Sequence, residues 1–386
     1  MRVAQIIDSL KIGGAQKLQL TFAEAARKRS LSVTVLSLRE DPDTPIPGEL
    51  TSLGIPVLYF PSRKLLSPSR LSTLASYLRK EKFDVVQTHL TSANIVGLMV
   101  ARAAGVPGIA TLHSASFDPR HHGPGRKTLE SWALRFGASR VVAVGHVVAD
   151  AHRNRLHGKM IEVIPNAVLP VQSVAGALRE QMRKEITGDA SRPLLLSVGR
   201  LSLPKGYHDL LSAFRLVKQT HPDCALAIVG GGILRESLLA QIRDQGLSGS
   251  AFLLGQRDNV PELLCAADVY VSSSHWEGLP VSVLEAMSAG RPVVATNVGD
   301  LPHIVSRETG ILVPPKDCNR LAFAISRLLS SASLRQSMGE AARKYVLRNH
   351  SPLAWIDRYI NLYEELRGNV SGSLDERIPD PVGRQK

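Results

Sequence analysis

The most informative stretch of this chain is residues 269–299, VYVSSSHWEGLPVSVLEAMSAGRPVVATNVG. Its first part, 269–274, is β-branched and apolar, which predicts a buried parallel strand. Gly278 and Pro280 predict the turn that follows, because the first helical turn has no use for the N–H that proline lacks. From Val281 onward the sequence is typical of a helix that ends at a glycine. The stretch therefore predicts a strand–loop–helix unit.

Two glutamates stand at fixed places in this unit. A helix that begins beside a strand end directs free backbone N–H groups and the positive end of its dipole at one point, which suits a phosphate. Glu277 lies in the loop, and Glu285 lies about one and a half turns into the helix, roughly 7 Å along its axis. The two carboxylates are thus placed to bind hydroxyl groups at both ends of a ligand with an anionic middle. Two solvated glutamates on a helix would give the same spacing.

A pair of cations follows another predicted strand, in LLLSVGRLSLPKGYHDLLSAF, residues 194–214. Arg200 and Lys205 lie five residues apart, just after the predicted strand end at Gly199. Arginine binds phosphate oxygens through two N–H groups, and lysine acts as a point charge. The carboxyl end of a parallel strand is where such sheets bind ligands, so this pair suits a diphosphate. Two surface cations in a loop are the alternative.

The first half of the chain offers two further candidates. Gly13 and Gly14 follow the first predicted strand, and glycines allow a backbone to approach a ligand closely. A tight turn explains the same pair. His113 ends the predicted strand 108–113 and would face a cleft between the halves of the chain. A hydrogen-bonded structural histidine is the alternative.

The E–x7–E spacing and its flanks resemble the signature of retaining glycosyltransferases of family 4, which have the GT-B architecture. The segments around Arg200 and Gly14 resemble this family's phosphate-binding and G–G–A segments. The resemblance extends to about residue 367 and is strongest over 198–299. It implies an α/β protein with two Rossmann-like, doubly wound domains that face each other across a cleft.

The resemblance also implies residue roles. Arg200 and Lys205 would bind the diphosphate and stabilise the leaving group, Glu277 would hold the sugar hydroxyls, and Glu285 the ribose. His113 would orient the sugar, which completes a catalytic set of His113, Arg200, Lys205 and Glu277. The implied donor-binding positions are Gly14, Gly199, Gly230, Arg257, Gly278, Leu279, Pro280, Val281 and Glu285. The loop 114–127, SASFDPRHHGPGRK, is basic and rich in Gly and Pro, as suits an acceptor loop.

The chain departs from the family pattern at several positions. Gln16 and Lys17 stand where Glu and Arg are usual, and Gly145 stands in place of Ser. Ala167 and Leu169 replace the usual Gly and Asp of the segment between the domains.

Strand and helix patterns alternate along both halves, which predicts doubly wound parallel sheets. We expect an acceptor-binding domain over 1–167 and a nucleotide-sugar-binding domain over 168–350. A helix over 351–368 would cross back to the first domain, and 369–386 would form a disordered tail.

Composition limits the partners. The net charge is +13, and residues 1–190 hold 25 Lys/Arg against 15 Asp/Glu, which raises the hypothesis of contact with an anionic membrane surface. Only 5% aromatic residues and no nucleic-acid-binding motif argue against nucleic acid. Three scattered cysteines and the lack of a secretory pattern favour the cytoplasm. The family resemblance implies no cofactor and no essential metal.

The predicted function is transfer of a sugar from a nucleotide-diphosphate donor to a hydroxyl of a glycan, lipid-linked or small-molecule acceptor. A sugar-nucleotide epimerase of the same fold is one alternative. A nicotinamide-dependent oxidoreductase is another, although no G–x–G–x–x–G follows the first strand.

Overall fold

The computed structural model describes residues 1–41, 44–115 and 124–375, so most of the predicted acceptor loop lies outside the described part. The chain forms two sheets in which every strand pair is parallel. Each sheet is sandwiched by helices, and its strands are nearly continuous apolar runs because both faces are covered. The doubly wound α/β architecture predicted from the sequence is confirmed.

The first sheet has the strand order β3-β2-β1-β4-β5-β6-β7. Its strands are β1 (Arg2–Ile7), β2 (Ser32–Ser37), β3 (Val57–Tyr59), β4 (Val85–His89), β5 (Gly108–Leu112), β6 (Arg140–Ala143) and β7 (Ile161–Val163). The helices of this domain are α1 (Gly14–Lys28), α2 (Ile46–Ser52), α3 (Pro68–Lys80), α4 (Thr91–Ala104), α5 (Pro124–Trp132) and α6 (His146–Arg153). A π-helical turn, Ala133–Gly137, follows α5, and a 3-10 turn, Asn154–Leu156, follows α6.

The second sheet has the order β10-β9-β8-β11-β12-β13. Its strands are β8 (Leu194–Val198), β9 (Ala225–Val229), β10 (Ala251–Gly255), β11 (Val269–Ser272), β12 (Val293–Thr296) and β13 (Gly310–Val313). The helices are α7 (Gly176–Thr187), α8 (Tyr207–Thr220), α9 (Arg235–Asp244), α10 (Val260–Ala266), α11 (Val281–Ser288), α12 (Leu301–Ile304), α13 (Cys318–Leu329) and α14 (Ala332–Asn349). A 3-10 turn, Leu203–Lys205, precedes α8.

Each sheet changes winding direction at one place, between β1 and β4 in the first domain and between β8 and β11 in the second. The loops that leave neighbouring strands at such a point diverge to opposite faces of the sheet and open a crevice between them. Apolar packing joins the two domains, because one buried cluster contains Ile7 of β1 together with Val283 of α11. The two crevices therefore belong to one packed unit.

The last helix, α15 (Pro352–Asp375), packs on the first domain. Trp355 and Tyr359 contact Phe22 of α1 edge to face, with ring centroids 5.7 and 6.0 Å apart. The helix is assigned to Asp375, and the disordered tail expected over 369–386 stays a prediction. Residues 376–386 lie outside the described part.

Candidate functional site

Loops from the two domains meet across the cleft where both sheets change direction. Gly278, after β11, packs so closely on His113 that a Cβ atom on the glycine would lie 2.7 Å from the His113 carbonyl oxygen. A Cβ on Gly14, at the start of α1, would lie 3.8 Å from Val281 Cγ2 at the start of α11. These contacts place three segments that the sequence singled out against one another.

Lys205 and Glu277 form an ion pair on the second-domain side of the cleft. Lys205 Nζ lies 2.5 Å from Glu277 Oε1, and the Ser274 hydroxyl donates to the same oxygen at 2.7 Å. Both charged side chains are largely buried, with exposed fractions of 24% and 12%. The turn that contains Lys205 and the loop that contains Glu277 leave the adjacent strands β8 and β11, so the sheet itself brings them together.

Glu285 pairs with a residue of the other domain. Lys17 Nζ of α1 lies 3.4 Å from Glu285 Oε1 of α11. The sequence singled out Lys17 only as a departure from a family pattern. Its role was missed because the two residues are 268 positions apart, and no local pattern connects them.

Arg200 is exposed in the loop after β8, and a Cβ on Gly13 would lie 3.7 Å from its Nη2 atom. The backbone beside it has no room for side chains. Gly230 has φ +141°, and a Cβ there would lie 2.0 Å from the Gly199 carbonyl oxygen. A glycine is thus required at position 230, where the loops after β8 and β9 pack backbone to backbone.

The N-terminus of α11 lies at the cleft, where Val281 faces Gly14 of the first domain. Pro280 occupies the N-cap position in an extended conformation, and no side chain of the described residues caps the helix. The preceding Leu279 carbonyl accepts a hydrogen bond from Asn166 Nδ2 at 3.0 Å, which anchors the loop to the segment between the domains. Uncapped backbone N–H groups and the positive dipole end make this helix start suitable for an anion.

His113 is hydrogen-bonded to a second histidine. His89 Nδ1, at the end of β4, lies 3.0 Å from His113 Nε2. Burial lowers the pKa of the His113 imidazole to about 4. Burial, with a smaller contribution from His113, also holds the pKa of His89 well below its ordinary value. Both rings are therefore neutral near pH 7, and His113 is unsuited to donate a proton as an imidazolium.

Arg257 is directed away from the residues above. Its Nη2 atom lies 2.6 Å from Glu185 Oε1 of α7, and its Nε atom donates to Asn259 at 3.2 Å. In the described part of the chain, no contact joins it to the other candidate residues. The role of Arg257 in binding the donor stays a prediction.

One interdomain contact explains the glycine at position 145. The Asp300 carboxylate, just before α12, accepts hydrogen bonds from the backbone N–H groups of His146 and Val147, at 2.5 and 2.7 Å. Asp300 thus caps α6 of the other domain. A Cβ on Gly145 would lie 1.9 Å from Asp300 Oδ2, so the absent side chain makes room for this cap.

Two family models match the chain. The model described as Glycosyltransferase Family 4 matches residues 12–170, and the model described as Glycosyl transferases group 1 matches residues 179–345. The first match covers most of the first domain, including His113. The second covers Arg200, Lys205, Glu277 and Glu285.

Curated relatives resemble the chain over most of its length. One is the UDP-Gal:alpha-D-GlcNAc-diphosphoundecaprenol alpha-1,3-galactosyltransferase of Escherichia coli, 26% identical over 368 residues, which are 92% of this chain and 94% of that protein. Another is the N-acetyl-alpha-D-glucosaminyl L-malate synthase of Bacillus anthracis, 25% identical over 84% of this chain and 86% of that protein.

Solved structures share the fold. The Anabaena protein HepE in complex with UDP-glucose superimposes with a TM-score of 0.83 at 22% identity, covering 96% of this chain and 100% of that one. Sucrose-phosphate synthase from Thermosynechococcus elongatus gives 0.81 at 22% identity, with 95% and 99% covered. The matched families, the relatives and the shared fold agree with the crevice described above: the chain is a glycosyltransferase of the GT-B architecture.

Proposed function

We propose that the protein transfers a sugar, with retention of anomeric configuration, from a nucleotide-diphosphate donor to an acceptor hydroxyl. The observation that carries this proposal is the set of charges around the uncapped start of α11: Arg200, Lys205, Glu277 and Glu285. Cations and helix amides there suit a diphosphate, and a carboxylate lies to either side for the hydroxyls of the sugar and the ribose. Neither an epimerase nor an oxidoreductase is favoured by the comparisons.

The donor would exchange partners with the ion pairs already present. Its diphosphate would take Lys205 from Glu277, which leaves the Glu277 carboxylate to accept hydrogen bonds from sugar hydroxyls. Its ribose would compete with Lys17 for Glu285 in the same way. Each new contact is charge-assisted and replaces one that the protein makes without ligand, so both carboxylates are oriented before binding.

The reaction would proceed on one face of the sugar. The bond between the anomeric carbon and the phosphate oxygen breaks, and the acceptor oxygen bonds to the same carbon from the same side. The acceptor proton passes to the departing phosphate oxygen. Arg200, Lys205 and the α11 dipole would stabilise the charge on the leaving diphosphate. The proposal therefore includes neither an essential metal nor a protein nucleophile.

Incubation with radiolabelled sugar nucleotides and a panel of glycan and lipid-linked acceptors tests this function. We expect a new glycosidic linkage with the donor's anomeric configuration, at a rate unchanged by EDTA. An isomerised sugar nucleotide as the only product would indicate the epimerase. A product of inverted configuration, or loss of activity in EDTA, would contradict the retaining or the metal-independent part of the proposal.

The acceptor side includes a surface suited to a membrane. Trp132, Phe136 and Met160 are exposed by 52%, 54% and 72%, and the rings of the first two lie 5.6 Å apart. Lys159 Nζ donates to the Arg135 carbonyl at 3.0 Å, which joins the segment of Met160 to the turn that carries Phe136. We name the surface formed by these five residues the aromatic-basic face.

Charge around the aromatic-basic face is strongly positive. Residues 124–160 hold seven Lys/Arg against two Asp/Glu. One of the two acids, Glu130, is buried in an ion pair with Arg155 at 2.9 Å. Exposed aromatic side chains insert at the headgroup level, and basic residues attract anionic lipids. No helix in the described ranges is long and apolar enough to cross a membrane. We propose that this face makes peripheral contact with an anionic membrane that holds a lipid-linked acceptor.

Vesicle flotation tests this contact. With vesicles of 70% phosphatidylcholine and 30% phosphatidylglycerol, we expect the protein to float at low salt and to dissociate as salt rises. The double variant Trp132→Ser/Phe136→Ser should stay at the bottom of the gradient. Phe323→Ser is the matched control, because Phe323 is 74% exposed on α13 of the second domain. Equal flotation of the double variant and the control would contradict the proposal.

A further inference from the structure

A row of hydrogen-bonded side chains runs beneath the cleft from the last helix to His113. The Tyr363 hydroxyl of α15 donates to Gln87 Oε1 of β4, and Gln5 Nε2 of β1 donates to the same oxygen at 3.0 Å. Gln5 Oε1 bonds to His89 Nε2, and His89 Nδ1 lies 3.0 Å from His113 Nε2. The first four side chains are fully or almost fully buried. We call this row the His113 relay.

The direction of the relay follows from its first members. Burial holds the pKa of the Tyr363 hydroxyl well above its ordinary value, so this group keeps a proton that it can donate to the Gln87 oxygen against which it lies. An amide oxygen only accepts and an amide nitrogen only donates. The Gln87 oxygen therefore faces Tyr363 and Gln5, while the Gln87 nitrogen donates to Thr111 at 2.7 Å. Gln5 is left with its oxygen directed at His89.

The same logic continues through the two rings. Because the Gln5 oxygen accepts, His89 carries its proton on Nε2 and has a lone pair on Nδ1. A neutral imidazole has one N–H group, so the hydrogen bond to His89 requires the His113 proton on Nε2. His113 Nδ1 is then an acceptor. His113 itself is partly exposed, at the edge of the cleft against Gly278.

We propose that Gln5 and His89 are positioning residues that hold His113 in the Nε2–H tautomer, so that Nδ1 accepts a hydrogen bond from a hydroxyl of the transferred sugar. The proposal rests on the proposed function in one respect, the presence of that sugar beside His113. The tautomer itself depends only on the relay. Under this proposal, the first domain recognises a sugar hydroxyl through an uncharged acceptor, His113 Nδ1.

The tautomer can be measured without any substrate. In protein labelled with 15N-histidine, long-range proton–nitrogen correlation spectra distinguish the Nε2–H from the Nδ1–H form, and the variants His113→Gln and His89→Gln assign the signals. We expect both rings in the Nε2–H form in the wild-type protein at pH 7. A wild-type His113 in the Nδ1–H form would overturn the proposal.

A variant two residues along the relay tests how the tautomer is held. Gln5→Met removes the acceptor of the His89 proton, and we expect the His113 signal to move toward the Nδ1–H form. Gln19→Met is the control, because Gln19 is also buried, on α1, and belongs to no part of the relay. If the His113 tautomer is the same in both variants, Gln5 is not a positioning residue.

Kinetics connect the tautomer to transfer. With the sugar nucleotide that gives the fastest labelled product, we expect Gln5→Met to lower kcat/KM by about 10-fold, as for loss of one buried hydrogen bond. Gln19→Met should change it by less than about 2-fold, since Gln19 is not a member of the His113 relay. An unchanged rate in Gln5→Met would overturn the link to sugar binding. If no sugar nucleotide is turned over, the proposed function fails while the spectra still decide the tautomer.

Discussion

The two faces of the cleft differ in how they can recognise a ligand. The second-domain face presents charges, with Arg200, Lys205, Glu277 and Glu285 around an uncapped helix start. The first-domain face presents close-packed glycine backbone and the neutral ring of His113, and its one cation named above, Lys17, is already paired with Glu285. A charged face binds the anion that all nucleotide-diphosphate donors share, whereas a neutral face can distinguish hydroxyl groups. The difference suggests that affinity comes mainly from one domain and sugar selectivity from the other.

Removing a cation from the charged face should have the largest effect, and it tests whether this face binds the diphosphate. We expect Lys205→Ala to lower kcat/KM by about 100- to 1000-fold, the usual loss when one group that stabilises the leaving charge is removed. The variant also leaves Glu277 without its cation. Arg215→Ala is the control, because Arg215 is exposed on α8 outside the crevice. Steady-state kinetics with the labelled donor measure both; similar rates would show that the charged face is not the diphosphate site.

The ion pair between Lys17 and Glu285 tests whether Glu285 binds the donor or only pairs with a cation. Glu285→Ala should raise the Kd of the sugar nucleotide by about 10-fold or more, because a hydrogen bond to a carboxylate is lost. Lys17→Ala removes only the partner that Glu285 has without ligand, and such pairs contribute little, so Kd should change by less than about 5-fold. Isothermal titration calorimetry measures both values. A larger effect of Lys17→Ala would assign the donor contact to the first domain.

The cap supplied by Asp300 tests how firmly the two faces are held together. Gly145→Ser places a side chain where the Asp300 carboxylate lies, and we expect it to destabilise the fold by about 1–3 kcal/mol. Gly145 is extended at the N-cap position, a conformation that serine adopts there. Gly145→Ser/Asp300→Gly should therefore recover most of the loss, since the serine hydroxyl at the N-cap position then caps α6 in place of Asp300. Urea unfolding gives the coupling; additive effects would mean that the two positions are independent.

A smaller effect concerns the neutral face. The pKa of His113 falls to about 4 in the folded protein, below the ordinary 6.5, so the unfolded chain binds the extra proton first. Stability is full above pH 6.5 and declines as the pH falls toward 4. Unfolding free energies at pH 7, 6 and 5 should decline less in His89→Gln/His113→Gln. His152 and His350, whose pKa values burial also lowers, keep a residual slope. If the stability of the double variant declines with pH as steeply as that of the wild type, burial does not lower the pKa of these two histidines.

The charged face could be predicted because its chemistry lies in short segments. Arg200 and Lys205 follow one strand, and Glu277 and Glu285 follow another, so local patterns indicate both their chemistry and their place at strand ends. The first-domain face could not be predicted in the same detail. Lys17 meets Glu285, and Asp300 meets α6, only after two distant segments fold against each other.

Hydrophobic periodicity and loop chemistry are local properties of the sequence. They therefore predict the two doubly wound sheets and the kinds of side chain at their strand ends. Contacts between distant segments determine which carboxylate pairs with which cation, which carboxylate caps α6, and on which nitrogen we propose that His113 carries its proton. Those outcomes depend on distances between β1, β4, α11 and α15, and such distances are set by packing across the whole molecule.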